Sequence, residues 1–306
     1  MRVAVIGRTE ALFDAAAHLK SVGHEIVLIA TSREAPEYTR TMEDFQDLAI
    51  AWGASFIATP KISDHLEVIQ EIPDLDIAIS ANYVQVIPQD VIDCFRLGIL
   101  NAHGGDLPRY RGNACQAWAI LNSETRIGLC VHKMRGGELD SGDIVARDYL
   151  PIDINTKVTR AWAWMTERIP GLFAEALQSL AGNPHYVLER QSASSGQALR
   201  CYPRLPEDGR ISWGSSASDI LRLINASNKP YAGAYCDFDG AKLIIWDAAL
   251  AEHENFLAVP GQVSSIGCGC VEIACGSGKL RIFSVECQGR VGTPDRFIKS
   301  HRQRLR

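Results

Sequence analysis

Several features are missing from this 306-residue chain, and each absence removes a class of protein. No stretch approaches the ~18 uninterrupted apolar residues that suggest a membrane-spanning helix, so no membrane association is expected. The N-terminus runs from Met1-Arg2 straight into Val3-Ala4-Val5-Ile6-Gly7, a strand-like run that does not read as a signal peptide. The nine cysteines are odd in number and contain no C-x-x-C pair. Cys268 and Cys270 have no second pair near them, so no metal site is expected. Free thiols in a reducing, cytoplasmic compartment are the expectation. There is no large excess of positive charge: 31 basic against 36 acidic side chains leave a net −5. Broad attraction to phosphate backbones or anionic membranes is therefore excluded, although a local basic patch is not. Gly7 is followed by Arg8-Thr9 and not by G-x-G-x-x-G, and neither G-x-x-x-x-G-K-[ST] nor G-x-S-x-G occurs. Dinucleotide binding at the first turn, P-loop phosphate binding and an ordinary serine-hydrolase elbow drop out with them.

What remains is a globular composition, 46% hydrophobic and 22% charged, long enough for about two domains. Strand-like runs at 2–6, 25–30, 55–58, 76–80 and 99–101 alternate with helix-like stretches at 11–22, 42–52 and 64–71. Continuous apolar strands separated by helices predict a parallel sheet covered on both faces, a doubly wound Rossmann-like layer. A helix is expected over 162–180, interrupted by Pro170-Gly171. Residues 191–209, rich in Ser, Gly and Pro, read as a linker. A helix at 218–225 follows, then strands near 234–238, 242–249, 261–265, 269–275 and 279–285, as in a small β-barrel or sandwich. The expected division is a catalytic domain over 1–190, the linker over 191–209, a β-rich domain over 210–290 and a basic tail over 291–306, read as a solvated end ahead of packing over the barrel or contacting phosphates.

Ligands of doubly wound sheets sit at the carboxyl ends of the strands. One such end carries Asn101-Ala-His103-Gly-Gly-Asp-Leu-Pro-Arg-Tyr-Arg-Gly112. Asn101 and His103 are two apart and share a face in an extended backbone, and Gly104 and Gly105 clear space beside them for a ligand. A strand-like run at 127–134 leads to Glu138-Leu-Asp140-Ser-Gly-Asp-Ile144. A carboxylate there reaches His103 if the two strand ends are neighbours. An amide then faces a developing oxyanion, an imidazole relays a proton, and a carboxylate orients the imidazole. No nucleophilic Ser or Cys accompanies them, so the nucleophile is expected to arrive with the substrate.

N-x-H-G-x-x-L-P-x-Y-R-G followed by L-D-[ST]-G-D-I resembles the formyltransferase family that uses N10-formyltetrahydrofolate. The resemblance extends to Gly23-His24-Glu25, to Ile211-Ser-Trp213 and to Lys229-Pro-Tyr-Ala-Gly-Ala-Tyr235. It implies a Rossmann-like parallel-sheet formyltransferase domain followed by a small C-terminal OB-like β-barrel. It also implies N10-formyltetrahydrofolate as co-substrate and a triad of Asn101, His103 and Asp140, with Asp143 supporting the turn. The cofactor is expected against Tyr83, Val86 and Ile87 and against Gly136, Gly137, Glu138 and Leu139. Gly104-Gly105-Asp106 after the histidine, and Cys115 where many relatives have Pro, depart from the family pattern.

Two positions bear on the acceptor. Relatives that act on tRNA carry a basic loop after the second strand, whereas residues 31–40 here hold two Arg and two Glu. Trp118 stands where sugar N-formyltransferases tend to have Trp and tRNA enzymes Arg. A nucleotide-linked amino sugar is therefore the expected acceptor, with nucleic acid disfavoured. Asn82, Tyr110 and Asn113 are the substrate candidates from their position flanking the triad. Methionyl-tRNA is the alternative acceptor, and a non-catalytic folate-binding relative is the second alternative. A homodimer is also an expectation, through an apolar barrel face.

Overall fold

The computed structural model describes residues 1–191, 198–252 and 255–306. The chain divides into two compact units. The first comprises 1–115, 128–150 and 162–202; the second comprises 116–127, 151–161 and 203–306.

In chain order the elements through residue 201 are β1 (Arg2–Gly7), α1 (Glu10–Ser21), β2 (Glu25–Thr31), α2 (Met42–Trp52), β3 (Ser55–Ala58), α3 (Leu66–Gln70), β4 (Ile77–Ala81), α4 (Gln89–Ile92), β5 (Ile99–His103), β6 (Tyr110–Gly112), α5 (Cys115–Leu121), β7 (Arg126–Lys133), β8 (Ile144–Pro151), α6 (Val158–Gly182) and β9 (Leu199–Cys201). Seven strands form one sheet in the order β3-β2-β1-β4-β5-β7-β8. Pairings from β3 to β5 are parallel, and β7 runs antiparallel to β5. β1 shows why its sequence is continuously apolar. Val3 and Val5 join the core on one face, Ala4 and Ile6 the core on the other, so both faces exclude water. Strand order reverses between β1 and β4, which places the crevice of a doubly wound sheet over their carboxyl ends.

Local signals account for most boundaries. Thr41 and Asp44 form a reciprocal capping box at the start of α2, and Gly53 ends it with φ +67°. Two helices differ from the sequence expectation. The one expected over 64–71 splits into a 3-10 turn, Ile62–His65, and the short α3. The one expected to break at Pro170-Gly171 is continuous through α6. A proline in a helix interior costs about 3 kcal/mol. Burial of Leu172, Phe173, Ala176, Leu177 and Leu180 at zero exposure offsets it.

The second unit holds α7 (Ala217–Ala226) and six strands, β10 (Ala234–Phe238), β11 (Ala241–Leu250), β12 (Val263–Gly267), β13 (Cys270–Ala274), β14 (Lys279–Cys287) and β15 (Arg290–Gly292). They form an antiparallel sheet, β10-β11-β14-β13-β12, with β15 on β14. Ile220, Leu221 and Ile224 of α7 share its core. The basic tail is not a solvated end. Leu305 bridges Phe238 of β10, and Arg304 bridges Gln262 beside β12. Arg306 exchanges two backbone hydrogen bonds with Asp237, and the Leu305 N–H donates to Gly261 O. The last residues thus tie both edge strands together, which is how a small sheet hides its unpaired backbone. Charge density alone suggested solvation, but Ile298 and Leu305 are buried.

Replacement Leu305→Ala should therefore destabilise the second unit by ~2–5 kcal/mol, the usual cost of truncating a buried leucine. A urea titration that follows tryptophan fluorescence of Trp213 and Trp246 checks it.

Candidate functional site

The site is built on the ends of β5 and β7. Registered pairing sets Asn101 opposite His132 and His103 opposite Cys130. Residues directly opposed across an antiparallel pair share a face, and the Asn101 amide lies 3.3 Å from His132 Nε2. The His132 Nδ1 side meets the Lys133 carbonyl at 3.0 Å.

Asp140 completes the cluster from the loop after β7. Its Oδ2 is 3.4 Å from His103 Nδ1, and its Oδ1 is 3.4 Å from His132 Nε2. The Gly112 backbone N–H donates to Oδ2 at 2.9 Å. Burial opposes ionisation of this carboxyl, but the two imidazoles and the Gly112 N–H outweigh it and hold its pKa well below the ordinary carboxylate range. Asp140 sits in the left-handed region, φ +48°, a conformation that Asp tolerates better than most side chains. The other ring nitrogen of His103, Nε2, faces the Tyr110 carbonyl at 2.7 Å. His103 is thus fixed at both nitrogens and nearly buried, while Asn101 remains partly open to solvent.

The loop that carries Asp140 is shaped by close approaches. A Cβ at Gly142 would lie 1.7 Å from the Lys133 carbonyl oxygen, and one at Gly136 would lie 2.4 Å from the Gln89 backbone nitrogen. Gly105 behaves likewise. A Cβ there would be 2.5 Å from His103 Nε2 and 2.4 Å from the Tyr110 carbonyl. The space that the sequence gives to a ligand at Gly105 is taken by the histidine and its partner.

The other sequence candidates separate into groups. Gln89 joins the two stretches assigned to the cofactor, since its Oε1 accepts from Gly136 N at 2.8 Å. Within them, the Tyr83 hydroxyl donates to Thr59 O, and burial pushes its pKa up to about 12. Ile87 is buried in the core, while Val86, with Val84, is exposed. Gly137 has φ +75° with open space where a Cβ would stand. Glu138 is exposed and accepts from Ser141 Oγ, and Leu139 is half-buried. Of the substrate candidates, Asn82 is exposed at the end of β4, where its amide donates to the Tyr38 hydroxyl at 3.0 Å. Asn113 is exposed beyond β6, and its N–H donates to Cys201 O. Tyr110 meets the site through its backbone carbonyl, since its side chain is buried. Asp143 accepts from Gln191 N and pairs with Arg135, a turn-supporting position.

Two residues escaped the sequence reading. His132 was hidden because only the β5–β7 register reveals it, although a histidine at a strand end was a signal. Gln191 lies in the stretch read as linker, part of which, 192–197, falls outside the described residues. It is buried, and its amide donates to the Asp140 and Gly142 carbonyls at 3.0 and 2.6 Å. Among the described residues no group of three or more His, Cys, Asp or Glu could hold a metal ion, and no helix is long and apolar enough to cross a membrane.

The depressed Asp140 pKa sets a pH dependence. Its contribution to stability is full above the unfolded value, ~3.9, and is lost as pH falls toward the folded value. Asp140→Asn should therefore be less stable than the parent at pH 7, with the gap narrowing below about pH 4. Urea midpoints at pH 7 and pH 3 check it.

A family model described as Formyl transferase matches residues 1–173, and a second, Formyl transferase, C-terminal domain, matches 205–302. The chain is 28% identical to the methionyl-tRNA formyltransferase of Acetivibrio thermocellus over 311 residues, 99% of this chain and 97% of the relative. Among solved structures it resembles the N-formyltransferase from Helicobacter canadensis, in complex with folinic acid and dTDP-3-aminofucose, at TM-score 0.68 and 15% identity over 92% of this chain and 98% of that one. It also resembles HypX from Aquifex aeolicus, in complex with tetrahydrofolic acid, at TM-score 0.64 and 20% identity over 94% of this chain, which spans 44% of HypX. At these identities the two structures share the fold with this protein. With both domain models matched across one polypeptide, the chain belongs to the formyl transferase family and is an enzyme of that kind.

Proposed function

We propose that this enzyme transfers the formyl group of N10-formyltetrahydrofolate to the amine of a nucleotide-linked amino sugar in the cytoplasm. The formyl donor is the folate. Exposed Val84 and Val86 on the loop after β4 offer a flat ring an apolar surface, and Gln89 ties that loop to the main chain at Gly136.

When the amine attacks the formyl carbon, negative charge grows on the formyl oxygen. The amide of Asn101, the partly open member of the cluster, is the donor suited to that oxygen. His103 moves the proton from the attacking amine toward the leaving nitrogen, and Asp140 holds its ring. Cys115, buried beside His103, is not needed as a nucleophile, because the acceptor brings its own.

The observation that carries the acceptor is the stretch after β2. Arg40 packs over the Phe13 ring at 4.2 Å and pairs with Asp44 at 3.7 Å. Glu34 accepts from Met42 N. Tyr38 turns toward the crevice, where Asn82 donates to it and the Arg8 guanidinium lies 5.5 Å from its ring. A loop with balanced charge and an arginine engaged within the fold suits a small acceptor better than a phosphate backbone, whose affinity comes from free cations. The second reading, methionyl-tRNA as acceptor, is favoured by the 28% identity to a methionyl-tRNA formyltransferase across 99% of the chain.

Purified protein with N10-formyltetrahydrofolate, offered dTDP-, UDP- and GDP-linked amino sugars beside Met-tRNA, should formylate a sugar nucleotide, read as a gain of one formyl group by mass spectrometry. Transfer to Met-tRNA alone would overturn the acceptor assignment. With the acceptor in hand, His103→Ala should lower kcat by ~10²–10⁴ with circular dichroism unchanged, the range for loss of a proton-transfer group. Near-parental kcat in that variant would remove His103 from the chemistry.

A further inference from the structure

We infer that Cys115 and Cys201 form a peroxide-responsive thiol pair whose closure to a disulfide slows the enzyme by disturbing His103. The inhibitory half of this inference rests on the function proposed above; the covalent half does not.

The geometry begins with the two short strands outside the main sheets. β6 and β9 pair in parallel, with Gly112 registered against Cys201. The approach is close, since a Cβ on Gly112 would lie 2.3 Å from the Cys201 carbonyl oxygen. Three residues beyond Gly112, the Cys115 sulfur turns back to within 3.5 Å of the Gly112 carbonyl. That brings it onto the segment with which Cys201 is registered. The same Cys115 sulfur lies 3.7 Å from His103 Nε2 and 3.6 Å from the Tyr110 carbonyl. Tyr110 O is the partner of that ring nitrogen. One sulfur therefore touches both the imidazole and the group that fixes it.

The pair is polarised as well as close. The hydrogen bond to Cys201, and then burial, push the Cys115 thiol up. The same bond holds Cys201 below the ordinary thiol range against its burial, helped by the Arg200 guanidinium. Cys201 stands on three-residue β9 beside exposed Tyr202, where a small oxidant arrives first, so Cys201 is the nucleophile and Cys115 the resolving thiol. The Cys201 thiolate attacks one oxygen of hydrogen peroxide and the O–O bond breaks. Cys201 becomes a sulfenic acid, and hydroxide leaves with the thiol's proton as water. The Cys115 sulfur then attacks the sulfenic sulfur, the S–O bond breaks, and the second water carries away the Cys115 proton. Two thiols and one peroxide give one disulfide and two waters. Cys201 is buried, but β9 has three residues and exposed Leu199 and Tyr202 flank it. Local opening of so short a ladder admits a small oxidant.

Bond formation brings the Cys115 sulfur to ~2.05 Å from its partner. It leaves its contacts with His103 Nε2 and Tyr110 O, and the Nε2 side of the imidazole shifts with the group that meets it. A misplacement of about 1 Å can cost ~10² in rate.

The test treats the full-length protein with hydrogen peroxide at neutral pH. Intact mass should fall by two hydrogens. Non-reducing peptide mapping should link the peptides of Cys115 and Cys201, and dithiothreitol should reverse the link. Formyl transfer to whichever acceptor the panel identifies should drop by roughly a hundred-fold and recover on reduction. Cys201→Ser should keep parental transfer and resist peroxide, with Cys201→Ala as a second variant if the first folds poorly. Unchanged mass, or a link between other cysteines, overturns the pair itself. A Cys115–Cys201 link with undiminished transfer overturns the inhibition while leaving the acceptor assignment untouched.

Discussion

The structure of the site turns on one buried carboxylate. Asp140 is removed from water, which by itself favours the neutral acid, yet it is held ionised by two imidazoles and the Gly112 N–H. A buried charge of this kind is tolerated only where its partners are placed closely. Much of the local sequence is then explained by placement. Gly142 lets the loop pass the Lys133 carbonyl, Gly136 lets it pass Gln89, and Gln191 donates to the carbonyls on either side of Ser141. Asp140 itself takes a left-handed backbone, a local cost of about 1 kcal/mol or more that its contacts with the two imidazoles and the buttressing glutamine sustain.

What was legible in the sequence was whatever depends on local chemistry. Val3 to Ile6 and Ile77 to Ile79 are apolar at every position because each strand is covered on both faces, and that pattern shows without a partner strand. The Asn101–His103 pair is legible because period-two geometry aims both side chains one way. The helical spacing over 42–52 marks α2, and Thr41 and Gly53 are the local groups that set its ends. Five of the six strands of the second unit's antiparallel sheet were readable for the same reason, their runs being cut by Gly and Asp turns, whereas β15 was not read.

Long-range pairing hid the rest. His132 belongs to the site because β7 runs antiparallel to β5 with Asn101 opposite it, and no window along the chain contains both. Gln191 reads as part of a Ser- and Gly-rich connector until its amide is seen on the Asp140 loop. Gly105 invites a ligand until the His103 ring is found in its space. Pro170 predicts a break, but the propensity of one residue is weak against five side chains buried at zero exposure along the same helix. The tail reads as solvated because it is basic, while the backbone of Leu305 and Arg306 is what its two edge strands lacked.

Fold and reaction on one hand, and acceptor on the other, are written in different parts of this molecule. The first needs the whole sheet, because the ends of β5 and β7 must lie side by side, and similarity spread over 99% of the chain carries it. The second, on the reading proposed above, needs only the crevice over β1, β2 and β4, where Arg8, Tyr38 and Asn82 engage one another. Arg8 donates to the carbonyls of Asn82 and Arg33, so its charge braces these loops against the crevice. Identity averaged over a whole chain is dominated by what the shared reaction requires. The side chains that meet an acceptor are too few to move that average, so identity over the whole chain does not by itself distinguish one acceptor from another.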